Sequence, residues 1–319
     1  VKVFRINALR GTAGPGNGAP AGPAGMMSMD LRAIGMGLAF ALMWSSAFSS
    51  ARIIVAAAPP LTALALRFMI SGLLAVAVAR ALGQSWRLTR AQWRATILFG
   101  VCQNALYLGL NFVAVQTVEA SLAVIVASSL PLLVALAGWL AFGDRVPPLG
   151  ILGLFVGLSG VLIVMGARVS GGADPFGLVL CGLGALALTF ATLAVRGASS
   201  GGNVLMIVGL QMLVGAAALA LAGLPFEEKT VAWSWPLIAA FVYTTLIPGL
   251  AATFTWFLLV NRIGAVRAAT FHFLNPFLGV AIAALVLGEA MTWLDGVGVV
   301  VIAAGILAVQ LSKQAVTAS

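Results

Sequence analysis

The feature that most constrains the fold of this chain is an internal repeat. Residues 112–165 align with residues 257–310 at a constant offset of 145 without a gap, and about a dozen positions match. The matched pairs include Phe112 with Phe257, Pro131 with Pro276, Gly143 with Gly288, Leu149 with Leu294, Gly153 with Gly298 and Gly160 with Gly305. A duplication of this length predicts two structural repeats that pack against each other.

The composition places both copies in a membrane. Hydrophobic residues make up 62 % of the 319 residues, charged residues only 8 %, and the mean hydropathy is +1.12. A membrane-crossing helix needs about 20 residues, so the chain has room for roughly ten helices and almost no extramembrane domain. Five helices in each copy is an odd number, so the copies have opposite orientations, as in many transporters. We therefore expect an all-α integral membrane protein with ten transmembrane helices in two inverted five-helix repeats.

The apolar segments set the expected boundaries. Residues 1–32, which are rich in Gly, Pro and Ala, are expected to form a disordered cytoplasmic tail, and residues 312–319 a second cytoplasmic tail. The first repeat is assigned to residues 33–167 and the second to residues 175–311. The spans are predicted at about 33–56, 61–79, 95–115, 120–142, 148–167, 175–195, 203–223, 236–259, 267–287 and 293–311.

The basic residues indicate how the chain is oriented in the membrane. With the N-terminus in the cytoplasm, thirteen of the seventeen Lys and Arg residues fall on the cytoplasmic side, as the positive-inside rule requires. This distribution accounts for the net charge of +9, so a nucleic-acid partner is not expected. Short loops and the lack of room for an extramembrane domain favour a bacterial inner membrane, with both termini in the cytoplasm.

The chain resembles the EamA branch of the drug/metabolite transporter superfamily over about residues 33–311. The resemblance rests on the repeated segments 131–144 and 276–289, on the glycine-rich fifth and tenth helices, and on the tripeptide at 66–68, which is echoed at 210–212. Within this branch the chain is most similar to the YddG-type exporters of aromatic and other neutral amino acids. The resemblance implies that the two repeats enclose a central cavity, open to one side at a time, with the fifth and tenth helices at the periphery.

Polar and aromatic side chains inside the apolar spans are the candidate substrate contacts. The residues assigned to the cavity lining are Trp44, Asn104, Tyr107, Tyr243, His272 and Asn275. Aromatic rings would hold an apolar side chain, while the amides and His272 would orient an amino-acid head group. Spacings of three and four place Asn104, Tyr107 and Asn111 on one helical face. Two interpretations stay open, because buried polar groups often mark substrate paths, but amides also join helices and a histidine also stabilises a proline kink.

Arg67 lies roughly two turns into the second span, where an unpaired charge costs about 2.5–3.5 kcal/mol. Two roles are open for its guanidinium: binding a substrate carboxylate, or bonding backbone carbonyls. Gln211 at the equivalent place in the other half favours the structural role. Proline frees backbone carbonyls and bends helices. The predicted hinge positions are therefore Pro131, Gly138, Pro276 and Gly279.

The predicted function is alternating-access export of neutral or aromatic amino acids, such as tryptophan, phenylalanine, methionine and threonine, or of related small metabolites. No Asp or Glu falls in the central third of a predicted span, which argues against proton exchange for cationic drugs. A sugar, a nucleotide sugar or an amphipathic drug on the same fold is the alternative.

A remote alternative is an intramembrane serine protease that uses Ser159 and His272. Ser159 lies in a Gly-Leu-Ser-Gly stretch at 157–160, but Gly160 belongs to the repeated glycine pair, so close helix packing explains the stretch. We therefore predict no enzyme activity, no cofactor and no metal site. The expected partners are a small-molecule substrate and membrane lipid; the sequence leaves the oligomeric state open, a monomer included.

Overall fold

A computed structural model describes residues 30–195 and 200–318. Within them the chain is helical without a strand, and ten helices are long and apolar enough to cross a membrane, which confirms the predicted fold class. Most of the predicted N-terminal tail lies outside the described residues, and the last helix continues through most of the predicted C-terminal tail. The helices are α1 Leu31–Val55, α2 Pro60–Ala81, α3 Arg90–Ala114, α4 Ala120–Phe142, α5 Pro148–Ser170, α6 Pro175–Ala194, α7 Val204–Gly223, α8 Trp235–Ile263, α9 Arg267–Leu287 and α10 Trp293–Ala318.

The helix ends follow from the local sequence. Proline occupies a first-turn position in α2, α5 and α6, where its missing N–H has no intrahelical partner to lose. At their other ends, α4 and α9 stop at glycines in the left-handed conformation, with φ 67° and ψ 24° at Gly143 and φ 67° and ψ 23° at Gly288. These two glycines are matched positions of the repeat, so the sequence repeat is also a structural repeat.

The two halves pack with matching helices in contact. The most extensive helix pairs are α2 with α7, and α5 with α10, which are the second and fifth helices of each half. Glycines bring the α2–α7 pair close together, because a Cβ on Gly209 would lie 2.9 Å from the backbone nitrogen of Val76. The first turns of α2 and α7 are also capped in the same way, each by a side chain that follows the other helix. Glu227, which follows α7, accepts hydrogen bonds from two N–H groups at the start of α2, and Gln84, which follows α2, accepts one from Met206 N near the start of α7.

Four helices depart from regular α geometry at corresponding positions. The wider π-helical form occurs at Gly100–Tyr107 in α3 and at Thr245–Ala251 in α8, and an offset of 145 superimposes these two segments in sequence. Helix α4 is interrupted at Ser129, while α9 contains a 3₁₀ segment at Thr270–Leu274, again at the same offset. Such irregular turns leave carbonyl groups without their usual partners and recur at functional sites. Both halves therefore place irregular backbone at equivalent positions of the repeat.

Candidate functional site

A cleft lies between the two halves, beside the middle of α1. Its volume open to water-sized molecules is about 50 Å³, so the cleft is narrow in this conformation. Helices α1, α2 and α3 of the first half and α8 of the second half form its wall. The lining residues are Trp44, Ala47, Phe48, Ala51, Arg67, Tyr107, Leu108, Asn111, Phe112, Val115, Thr244 and Pro248. Among these described residues only Arg67 is charged, so the wall is mainly apolar and aromatic.

One face of α1 forms the aromatic side of the cleft. Trp44, Phe48 and Ala51 are spaced by four and three residues, which places them on the same face of a helix. Phe48 is 7 % exposed and Trp44 is half-buried. The small side chains of Ala47 and Ala51 occupy little of the space between the two rings and the neighbouring helices.

Arg67 meets the π-helical segment of α8. Pro248 has no N–H, so the carbonyl of Thr244, four residues earlier, cannot form its usual helical hydrogen bond to that position. Arg67 Nε donates to this carbonyl at 3.3 Å, and Ser71 Oγ, one turn further along α2, donates to Thr245 O at 3.4 Å. The Arg67 side chain is 6 % exposed, and its guanidinium carbon lies 4.8 Å from the centre of the Phe68 ring. Carbonyl bonding, one of the two roles left open by the sequence, is therefore present.

The polar residues of α3 do not all face the same way. Tyr107 and Asn111 line the cleft, and Asn111 Nδ2 donates to Tyr107 O at 2.8 Å. Asn104 is 3 % exposed and points instead to α7, where its Nδ2 donates to Gln211 O at 2.9 Å. The three residues therefore do not share one role. Asn104 joins α3 to α7, while Tyr107 and Asn111 lie on the cleft wall.

A second group of side chains, the aromatic cluster, consists of Phe40, Trp44, Trp256 and His272. The His272 ring centre lies 5.3 Å from that of Phe40 and 5.2 Å from that of Trp256. Phe40 in turn lies 5.7 Å from Trp44, one helical turn along α1. Trp44 therefore belongs to both the cleft and the cluster, which adjoin each other along α1.

The predicted pair of His272 and Asn275 is present beside this cluster. Asn275 Nδ2 lies 2.9 Å from His272 Nδ1; the amide N–H donates in this arrangement, which leaves Nδ1 as the acceptor. Asn275 is 5 % exposed, its carbonyl accepts a hydrogen bond from Ser45 Oγ at 3.3 Å, and its Oδ1 is buried without a partner among the described residues. The pair thus fastens the 3₁₀ segment of α9 to α1 and leaves one acceptor unused.

Tyr243 lies apart from both groups. Its hydroxyl is 2.8 Å from Ser46 Oγ, so it bonds α8 to α1, and its side chain is 39 % exposed. Of the six candidates, Trp44 and Tyr107 line the cleft, while Trp44, His272 and Asn275 gather at the aromatic cluster. Asn104 and Tyr243 bond to neighbouring helices instead.

The predicted hinge positions coincide with two of the backbone irregularities. Pro131 follows the interruption of α4 at Ser129, and Pro276 follows the 3₁₀ segment of α9. The two glycines have other local roles: Gly138 O accepts the N–H of Asp144 at 3.2 Å where α4 ends, and a Cβ on Gly279 would lie 2.5 Å from the side chain of Val124 on α4. Gly279 therefore permits a close approach of α4 and α9.

Sequence reasoning expected α8 to contribute through Tyr243 and missed Thr244 and Pro248, the α8 residues that line the cleft. Pro248 lies inside the predicted eighth span, and a proline at that depth was a usable signal for freed carbonyls and irregular backbone. For the protease alternative, Ser159 forms no hydrogen bond to His272, the proposed base, among the described residues. Ser159 is exposed on α5 and its hydroxyl donates to Val156 O at 2.8 Å, within its own helix.

Comparison with known proteins gives the family context. The model of the family described as "EamA-like transporter family" matches residues 31–166 and again residues 175–311. The uncharacterized transporter YvbV of Bacillus subtilis (strain 168) is 24 % identical over 275 residues, which cover 86 % of this chain and 90 % of YvbV. The uncharacterized inner membrane transporter YedA of Escherichia coli (strain K12) is 26 % identical over 289 residues, covering 87 % and 90 % of the two chains. A crystal structure with 23 % sequence identity superimposes with a TM-score of 0.65, over 89 % of this chain and 99 % of that one, and shows the same fold.

Proposed function

We propose that this chain, which belongs to the EamA-like transporter family, exports neutral or aromatic amino acids or related small metabolites. Tryptophan, phenylalanine, methionine and threonine are the proposed substrates, as in YddG-type exporters. The protein would act in a bacterial inner membrane with both termini in the cytoplasm. Transport would proceed by alternating access, in which one half rocks against the other around the cleft.

The cleft between the two halves carries this proposal. It lies beside the middle of α1, its wall is built from both halves, and Trp44, Phe48, Tyr107 and Phe112 give it four aromatic rings. Concave, mainly apolar sites with a few polar groups are typical for small organic ligands. The chemistry of this wall suits an aromatic or aliphatic amino-acid side chain, because burying it against the rings removes apolar surface from water. The cleft would widen to admit it as the halves rock.

The six candidate residues remain our proposed substrate contacts. Trp44 and Tyr107 would pack against the apolar side chain in the cleft, whereas His272 and Asn275 would meet the head group as the substrate passes the aromatic cluster. The unused acceptor Asn275 Oδ1 is suited to an ammonium N–H. Asn104 and Tyr243 are bonded to α7 and α1 here, so their contact with substrate requires these bonds to open during the transport cycle.

The matched irregular segments support the proposed motion. Interrupted helices bend at lower cost than continuous ones, since part of their backbone hydrogen bonding is already displaced. We propose that α4 and α9 flex at Pro131 and Pro276, near Gly138 and Gly279, when the halves rock. Because the segments occur at equivalent places in inverted halves, the same bending would open the cleft to one side and then to the other.

Nucleotide sugars are less suited to this site. Phosphate groups carry more than one negative charge and usually require several Lys or Arg side chains. Among the described lining residues, Arg67 supplies the single positive charge. An amphipathic metabolite or drug without phosphate fits the apolar wall and is the second candidate.

Reconstitution in liposomes tests the proposal. The purified protein is incorporated, and flux of tryptophan, phenylalanine, methionine and threonine is measured with and without a pH gradient, against liposomes without protein. Saturable flux that the protein alone provides is the expected result, and the effect of the gradient identifies the energy source. Absence of flux for every amino acid, from protein that remains folded, would overturn the amino-acid assignment and leave the amphipathic candidate.

Variants then test the proposed contacts. Trp44→Leu should raise KM for phenylalanine roughly fivefold or more, the equivalent of about 1 kcal/mol of aromatic contact. Trp86→Leu is the matched control, because Trp86 is 58 % exposed in the α2–α3 loop. His272→Ala and Asn104→Ala should impair transport without loss of expression or folding in detergent. If either variant loses folding and transport together, its residue has a structural role instead.

A further inference from the structure

We propose that Arg67 is the carboxylate-binding group of the cleft, so that the transported class is apolar carboxylates whose amino group is dispensable. This inference rests on the proposed function and deepens it by naming which part of the substrate is recognised. An amino acid would be accepted as a carboxylate with an apolar tail. An amine without the carboxylate would not be accepted.

The geometry of Arg67 leaves a carboxylate-binding edge unused. A guanidinium carries five N–H donors, and the one on Nε is directed at Thr244 O. The two Nη atoms form no hydrogen bond to a described residue, and the Arg67 side chain lines the cleft, with Nη2 beside Gly249 of α8. Nη1 and Nη2 together present the fork that binds both oxygens of one carboxylate.

Fixation of the side chain favours this role. The Nε bond to Thr244 O and the Phe68 ring at 4.8 Å hold the guanidinium plane from two sides. A donor that is already fixed loses less conformational entropy when a ligand binds. The carbonyl bond and the carboxylate site are thus compatible, because they use different nitrogens of the same group.

Charge selects the class of ligand. Arginine stays protonated even where it is poorly hydrated, so the cleft keeps a positive charge. No Asp or Glu is found among the described lining residues, and none lies within ion-pair distance of Arg67 among the residues described. In a site of low dielectric constant this favours an anion and repels a cation that lacks a carboxylate. The substrate ammonium group finds no counter-charge in the cleft, and Asn275 Oδ1 at the aromatic cluster is a neutral acceptor, so the ammonium contributes less to recognition than the carboxylate.

The other half of the protein offers no equivalent group. Gln211 stands in the tripeptide that echoes the one containing Arg67, and its carbonyl is occupied by the amide of Asn104. The matched place in α7 therefore carries no charge. The site is one-sided, which orients a ligand with its acid group toward α2 and its apolar part toward the rings of α1 and α3.

Three compounds that share one phenylethyl skeleton test the inference: phenylalanine, 3-phenylpropanoate and phenethylamine. Exchange of labelled for unlabelled compound is measured in proteoliposomes, with protein-free liposomes giving the background from diffusion of neutral forms. Phenylalanine and 3-phenylpropanoate should exchange with KM values within a few fold of each other. Phenethylamine should exchange at least roughly tenfold less well, as expected for loss of a charge-assisted hydrogen bond. Equal exchange of phenethylamine and 3-phenylpropanoate would overturn the proposal.

Variants separate recognition from support of the α8 segment. Arg67→Gln should abolish the preference for the acid over the amine, whereas Arg67→Lys should retain part of it. Ser71→Ala is the matched control: it removes the neighbouring hydrogen bond to Thr245 O without changing charge. If both Arg67→Gln and Ser71→Ala lower flux with the acid-to-amine ratio unchanged, Arg67 is structural and the inference fails.

The outcomes also distinguish this inference from the proposed function. If 3-phenylpropanoate exchanges and phenylalanine does not, the carboxylate site stands and the amino-acid assignment falls. If phenylalanine exchanges equally well in Arg67→Gln, the proposed function stands and the carboxylate site falls. Because Arg67→Gln could unfold the protein, its melting temperature is measured first. An unfolded variant is replaced by Arg67→Lys, for which an unchanged acid-to-amine ratio and an unchanged KM would count against the inference.

Discussion

Replacing Gly305 with alanine should force α10 away from α5 and destabilise the protein. A Cβ on Gly305 would lie 2.5 Å from the backbone nitrogen of Gly157 and 2.7 Å from the carbonyl oxygen of Gly153. Real Cβ atoms essentially never lie within 3.0 Å of such a neighbour and ordinary contact begins at 3.4 Å, so the two backbones would have to separate by at least 0.5 Å (3.0 less 2.5 Å), and by 0.9 Å for ordinary contact (3.4 less 2.5 Å). A side chain could rotate away from the new methyl group, but a helix backbone cannot.

The magnitude follows from a comparison with Gly166→Ala on α5, where a new Cβ meets nothing within 4 Å. Both substitutions gain about 1 kcal/mol of helix propensity, so their difference isolates the packing effect. Overpacking costs about 1–3 kcal/mol, and Gly305→Ala should be less stable than Gly166→Ala by that amount. Gly160→Ala should fall between them, because its Cβ would meet Val301 Cγ1 at 2.9 Å and Ile302 Cγ1 at 3.0 Å, whereas the nearest backbone atom, Ile302 N, would be 3.2 Å away.

Thermal unfolding in detergent, followed by tryptophan fluorescence at one scan rate, measures this order. Each kcal/mol should shift the midpoint by roughly 2–4 °C. A midpoint for Gly305→Ala at or above that of Gly166→Ala would refute the close contact of α5 and α10, and with it the packing explanation of the repeated glycines.

Three further predictions concern charge and topology. Glu289→Gln should lower stability by about 0.5–2 kcal/mol in the same unfolding assay, because the carboxylate accepts two N–H groups at the start of α4 at 2.7 and 2.9 Å. The hydrogen bond from Arg262 holds the pKa of Asp30 below its ordinary value of 3.8, so the stabilisation is present above that value and lost as the pH falls through the lowered pKa. Asp30→Asn should therefore lower the melting temperature at pH 7, and the gap to the wild type should close below pH 3.8. In right-side-out vesicles, a membrane-impermeant maleimide should label Phe226→Cys and spare Leu82→Cys; the reverse pattern would contradict a cytoplasmic N-terminus.

The sequence was sufficient for the number of spans and for the repeat, because both depend on composition and on local backbone chemistry. A segment of about 20 apolar residues has few stable alternatives to a membrane helix. Gly143 and Gly288 end their helices in the same left-handed conformation, which is a property of the glycine itself. Prolines likewise marked the interruptions of α4 and α9, since a proline disturbs its helix wherever it packs.

The facing of the polar residues on α3 could not be predicted in the same way. Asn104 and Tyr107 would share a face in a regular α-helix, but both lie in the π-helical segment Gly100–Tyr107. A π turn holds more residues than an α turn, so the side chains beyond it are rotated relative to the expected pattern. As a result Asn104 points to α7 and Tyr107 to the cleft. Helix rotation depends on partners distant in sequence, which a local pattern does not contain.

One of the basic residues that depart from the positive-inside rule is Arg67 of the cleft. Four of the seventeen bases lie off the predicted cytoplasmic side: Arg52, Arg67, Arg168 and Lys229. Lys229 is exposed in the loop before α8, where water solvates its charge. The other three are withdrawn from bulk water, so each needs another source of stabilisation.

Two of these arginines have partners at helix ends: Arg52 bonds backbone carbonyls and Arg168 pairs with an acid. Arg52 Nη1 donates to the carbonyls of Val115 and Val118, both at 2.6 Å, and Arg168 binds Asp295 through Nε and Nη2 at 3.0 and 2.6 Å. Arg67 lies deeper and has a single carbonyl, with no acid partner among the residues described. A cation that is buried, held in place and left without a counter-charge is a costly arrangement for helix packing alone. The arrangement would become favourable when a substrate carboxylate enters the cleft and pairs with Arg67. The most deeply buried of these arginines is therefore the one that a transported anion would neutralise.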